Sequence, residues 1–208
     1  MSPIPAQMTS HWWQRPGRMP GRELYHWHIL FHDQPKVQEL VAVAQGKLAG
    51  MSDLDMIETP WLHMTTYIVG FVDEVADSVV EKMISNANRL LSELPPVGIS
   101  LGRVGYATQA IALPAEPPGT LNPVLDAVRE ATLTAGCKGH TDTDPWLPHI
   151  SIAYSNTSIP TAPIISALGR WLPRIEITIR SISLVSQTQV GRSWQWRPVA
   201  EIFLAETP

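Results

Sequence analysis

The stretch ELYHWHILF, residues 23–31, alternates. Tyr25, Trp27, Ile29 and Phe31 fall on one side, and His26, His28 and Leu30 on the other. A two-residue period predicts a strand. The period then changes. Val37, Leu40, Val41, Ala44 and Leu48 recur at helical spacing, with Gly50 as a stop. A second strand is predicted over 61–71 (WLHMTTYIVGF). The strongest helix of the chain follows over 72–94, with Asp73 near its N-cap, apolar residues at Val75, Val79, Met83, Ala87 and Leu91, and Pro95-Pro96 closing it. Two strands with a glycine-containing bend fit the region 97–116.

The order then repeats. A helix is predicted over 118–136, a strand at HISIAYS (149–155), and a shorter helix over 162–171. Two long strands, 174–187 and 194–204, are joined through Gly191. Each half thus offers strand, helix, histidine-bearing strand, helix and more strand. A repeat of this length points to two lobes rather than a solenoid. Mixed elements with hairpin returns predict an α+β fold with antiparallel sheets. Residues 1–22 hold no periodic apolar pattern and read as an irregular arm, leaving 23–208 as one bilobal domain. The arm's HWWQRPGR is either flexible or an aromatic, cationic flap over a cleft, with Arg15 or Arg18 near a phosphate.

The two histidine strands share a lead-in. PWLHMTT (60–66) and PWLPHIS (145–151) each carry Pro-Trp-Leu followed within two residues by His-x-Thr or His-x-Ser, and His63 and His149 stand 86 residues apart. Alternation puts His63, Thr65 and Tyr67 on one face, and His149, Ser151 and Ala153 on one face of the other strand. Tyr67 is therefore expected in any cleft with His63, whereas Tyr154 is expected to pack. Two imidazoles can act as base and acid in one step, and two hydroxyls can donate to anionic oxygens. Neither motif carries a carboxylate. That set suits phosphodiester cleavage without a metal, Thr65 and Ser151 holding the phosphoryl oxygens.

Composition narrows the partners. Hydrophobic residues make up 44% and charged ones 16% of 208, ample for a core. A net charge of −4 argues against a broad electrostatic grip on duplex nucleic acid. Cys137 is the only cysteine, so no intrachain disulfide can form. The N-terminus lacks the apolar core of a signal peptide, and no long apolar run predicts a membrane span. A cytoplasmic monomer is expected, acting on a small ligand, with no membrane partner, no cofactor and no metal.

The paired motifs resemble the two-histidine (2H) phosphoesterase superfamily, the branch of 2′-5′ RNA ligases and cyclic phosphodiesterases. Its pattern is His, apolar, Thr or Ser, apolar, occurring twice. HISI (149–152) matches fully, and HMTT (63–66) departs only at Thr66, expected on the face away from His63. The resemblance runs over roughly residues 23–205. It implies a bilobal fold with a cleft between two antiparallel sheets and helices outside, and hydrolysis of 2′,3′-cyclic or 2′-5′ phosphodiesters, sometimes with reversible ligation. His63 and His149 would be the acid and base, in an order left open. Thr65, Ser151, Tyr67 and Trp146 would bind substrate. The alternatives are a phosphate-binding or RNA-end-binding module without turnover, or another acid/base reaction on the same scaffold. Trp61 and Trp146 read as core or as stacking rim. His26, His28 and His32 read as a polar strand face or as groups behind the cleft rather than as a metal site.

Overall fold

The computed structural model describes residues 4–13, 19, 21–139 and 146–205. In chain order they form β1 (Gln7–Met8), β2 (Leu24–Leu30), α1 (Pro35–Lys47), β3 (Leu54–Met56), β4 (His63–Phe71), α2 (Asp77–Leu91), β5 (Val97–Arg103), β6 (Gly105–Tyr106) and β7 (Ala110–Pro114). There follow α3 (Asn122–Thr134), β8 (His149–Ser155), β9 (Ile159–Pro160), α4 (Thr161–Leu168), β10 (Trp171–Ile179), β11 (Ser181–Val190) and β12 (Ser193–Phe203).

Two antiparallel sheets carry the architecture. One has the order β12-β11-β2-β4 and the other β3-β8-β7-β6. β5 pairs with β10 and joins the second sheet through reciprocal backbone bonds between Ser100 and Glu116. This is the expected α+β architecture. The internal repeat is only approximate, since β4 is an edge strand whereas β8 lies between β3 and β7.

The helices cross between the halves. α2 and α3 pack on each other and against the first sheet, and α1 packs against β8 and β10 of the second. Side chains fix these crossings. Trp27 of β2 donates its indole N–H to Thr132 of α3, and Gln45 of α1 donates to the carbonyls of Ile57 and Ile152. The outer face of β2 supplies fully buried Trp27, with Ile29 and Tyr25 beside it. α2 adds Val80, Met83, Ala87 and Leu91, one stripe at helical spacing. Each such side chain stabilises by about 1.5–3 kcal/mol when buried, alanine less.

Three local expectations are corrected. α2 begins later than its pattern suggested: Val72–Glu74 form a separate 3-10 turn, and the residue at the N-cap is Ala76. Asp73 instead takes a two-pronged contact from Arg22, which also binds Glu74. The strand predicted over 174–187 divides at Arg180, so β10 and β11 serve different sheets. The shorter helix ends at Leu168, and Trp171 opens β10.

Candidate active site

The first motif histidine sits on an edge strand. A 3-10 turn, Thr59–Trp61, delivers the chain into β4, and His63 is its first residue. Its Nδ1 lies 2.9 Å from the carbonyl of Trp61. The second histidine opens β8, and its Nδ1 lies 2.7 Å from the carbonyl of Leu147. Each ring is therefore held by the carbonyl two residues upstream. A carbonyl accepts only, so Nδ1 carries the proton in both rings and each neutral imidazole keeps its lone pair on Nε2. His63, Thr65, His149 and Ser151 line one cleft of about 430 Å³. Trp146 braces the two strands: its indole N–H donates 3.0 Å to the carbonyl of Thr65, tying the lead-in of β8 to β4.

Which neighbours share this face is decided by two bulges. Residues opposite each other on antiparallel strands point to the same face. On β2, His28 faces Thr65 but Trp27 faces Tyr67, so Thr66 is an extra residue. On β8, Ser151 faces Ala112 but Ala153 faces Ile111, so Ile152 is extra. Both bulges fall on the residue after the motif hydroxyl, and both reverse the phase beyond it. Tyr67 is thereby turned to the buried side with Trp27, against Gly139, where a Cβ would overlap its ring. It does not line the cleft, contrary to the expectation from strict alternation. Tyr154 takes the opposite course. It pairs with Ala110, on the face of Ala112, and enters the cleft with Ser151. Trp146 is half-buried against the core and is engaged with Thr65 rather than lining the cleft.

His28 forms a third imidazole behind the pair. Its ring centroid is 4.4 Å from that of His63, and His26 follows at 5.1 Å. Trp196 covers His28 and His63 edge-on. His28 is 0% exposed, and its Nε2 has no hydrogen-bond partner among the described residues. Burial, then the proximity of His63 and His26, drives its pKa well below the usual histidine range. His63, 8% exposed, is pushed down to about 4, chiefly by burial. The carbonyl of Trp61 opposes that shift, and nearby His149 reinforces it. His149 itself is exposed.

The depressed histidines make a stability prediction. Between pH 6.5 and about 4 the unfolded chain binds protons that folded His63 refuses, so stability falls as pH drops through that window. The share of His63 is about 3 kcal/mol at full protonation of the unfolded state. Thermal unfolding midpoints should fall steeply from pH 7 to pH 4.5, and less steeply in His63→Phe, which keeps a ring but cannot titrate. Equal slopes would remove burial of His63 as the cause.

The arm forms one wall of the cleft. β1 pairs with β9, the N–H of Thr9 donates 2.7 Å to the carbonyl of Thr108, and that of His11 donates 2.8 Å to Ser155. Trp12 donates its indole N–H 2.7 Å to Asp55 of β3, and Trp194 of β12 donates 2.9 Å to Nε2 of His11. The His11 ring stacks on Tyr154 at 3.8 Å and lines the cleft. This part of HWWQRPGR is therefore a strap between the two sheets, while Arg15 and Arg18 lie outside the described residues.

Comparison with known proteins fits this geometry. Residues 34–191 match the family model of the 2′-5′ RNA ligase superfamily. The chain belongs to that superfamily. No curated protein sequence matches the chain. Solved structures share its fold at low identity. TT0787 of Thermus thermophilus is 16% identical with a TM-score of 0.69, over 88% of this chain and 100% of that one. E. coli LigT complexed with 3′-AMP is 15% identical with a TM-score of 0.66, over 89% and 99%. The MHV ns2 PDE domain is 9% identical with a TM-score of 0.54, over 86% and 99%. No helix among the described residues of this superfamily member is long and apolar enough to cross a membrane.

Proposed function

We propose that this superfamily member hydrolyses a 2′,3′-cyclic or 2′-5′ phosphodiester by general acid–base catalysis without a metal, ligation being the analogous step with a ribose hydroxyl attacking a cyclic phosphate in place of water. The observation that carries the reading is the matched pair of imidazoles, each with Nδ1 bound to a carbonyl and Nε2 left for chemistry, in a cleft with two hydroxyls. His63 is the base. Its depressed pKa keeps it neutral at physiological pH, a weak base wholly in its reactive form. His149 is the acid. As water attacks phosphorus, Nε2 of His63 takes the water's proton. The bond to the departing ribose oxygen breaks, and His149, acting in its imidazolium form with a proton on each nitrogen, gives its Nε2 proton to that oxygen. Thr65 and Ser151 donate hydrogen bonds to the non-bridging oxygens as charge shifts onto them. Structures of the LigT neighbour with 3′-AMP favour a nucleotide as the substrate class.

The test is turnover of nucleoside 2′,3′-cyclic phosphates and 2′-5′-linked dinucleotides, with and without excess chelator. Nucleoside monophosphate should form at an undiminished rate in chelator. Loss of activity in chelator, restored by a divalent ion, contradicts the metal-free mechanism. No turnover of either substrate class contradicts the assignment.

A further inference from the structure

The cleft has a chemical end, where the four motif side chains meet, and a far wall that the mechanism does not use. That wall comes from the turn between β6 and β7, with Thr108 and Gln109, and from His11 of the arm beside Tyr154. His11 lies outside residues 34–191, the part of the chain that the superfamily model matches.

The wall is built rather than loosely draped. His11 is held at its backbone by Ser155, at Nε2 by Trp194, and at its face by Tyr154, 3.8 Å away and 13° from parallel. Trp12 closes the cluster edge-on to Tyr154 and is anchored on Asp55. Four ring systems drawn from the arm, β8 and β12 thus form one rigid aromatic body beside the phosphoryl centre. Gln109 adds an amide with two donors and an acceptor, and Thr108 a hydroxyl. Stacked aromatic surface with a few adaptable hydrogen-bonding groups is the chemistry that recognises an unpaired nucleobase.

We infer that the N-terminal arm makes the base subsite of this enzyme: a nucleobase attached to the reacting phosphodiester packs against the His11–Tyr154 pair. The inference rests on the phosphodiesterase reading above and narrows its substrate to a phosphodiester that carries a base. His11 is a specificity residue and takes no part in proton transfer. The bulge at Ile152 is what makes the subsite, because it alone brings Tyr154 round to the arm.

The experiment compares a nucleoside 2′,3′-cyclic phosphate with ribose 2′,3′-cyclic phosphate, which offers the same reacting group and no base. Stacking on an aromatic side chain predicts a preference of about 10-fold or more in kcat/KM for the nucleoside by the wild type. His11→Ala should remove most of that preference, mainly through KM, and leave turnover of the ribose compound within about twofold. Equal wild-type kcat/KM on the two substrates overturns the inference while the phosphodiesterase reading stands. So does a loss in His11→Ala that falls equally on both, because a wall that only supports the fold cannot tell them apart. Failure of the wild type on both substrates overturns the phosphodiesterase reading, and the base subsite with it.

Discussion

Alanine at His63 or at His149 lowers turnover of a cyclic phosphodiester by about 10²–10⁴-fold, the range for loss of one general acid or base. The double variant loses far less than the product of the two, because groups that act in one step are not additive. The comparison is made by steady-state kinetics on the three variants, with circular dichroism to confirm folding. His149 is exposed, so its removal should leave stability untouched. His63 is buried against His28 and Trp196, so its removal costs some stability as well as activity. A fully active single variant, or full multiplicativity in the double, would show that the two imidazoles do not share a step.

Thr65→Ala and Ser151→Ala each lower kcat by about 10²-fold, the cost of one hydrogen bond that strengthens with phosphoryl charge in the transition state. The loss belongs in kcat more than in KM, since a bond made equally to bound substrate would act on KM alone. Thr65 is half-buried at the cleft, and the register of β4 is set elsewhere, by pairing with β2. Both variants therefore keep their fold. Wild-type kcat in both would place the phosphoryl contacts on other groups.

The sequence made much of this site readable, for a physical reason. Histidine and hydroxyl two residues apart on a strand share a face, and that short-range rule survives in both motifs. His63 with Thr65 and His149 with Ser151 reach one cleft. The rule fails one residue later. An extra residue at Thr66 and another at Ile152 reverse the phase, exchanging Tyr67 and Tyr154 between cleft and core. Neither bulge is marked by a glycine or proline at its own position, and a β-branched residue occupies both, as in a regular strand. The division of the strand at Arg180 is marked only by a slip of phase, from Ile175, Ile177 and Ile179 to Ile182 and Leu184 across Arg180-Ser181, where the partner strand changes. The helix start differs too: Asp73 lies in a separate turn with its carboxylate on Arg22, and the helix begins at Asp77. The arm's aromatic residues, His11, Trp12 and Trp13, are plain in the sequence. That they would bind Asp55 and Trp194 depends on contacts 43 and 183 residues distant, which no local pattern encodes.

The central claim is that two like strands deliver unlike functions, His63 as base and His149 as acid. A phosphodiester with a p-nitrophenyl leaving group tests it most directly, because p-nitrophenolate departs without being protonated and no longer needs the acid. The measurement is kcat/KM of both alanine variants on that ester beside a nucleoside 2′,3′-cyclic phosphate. His149→Ala should recover on the p-nitrophenyl ester to within about 10-fold of wild type, while His63→Ala stays about 10²-fold or more below it on both substrates. Recovery of His63→Ala instead, or of both variants alike, would contradict the assignment.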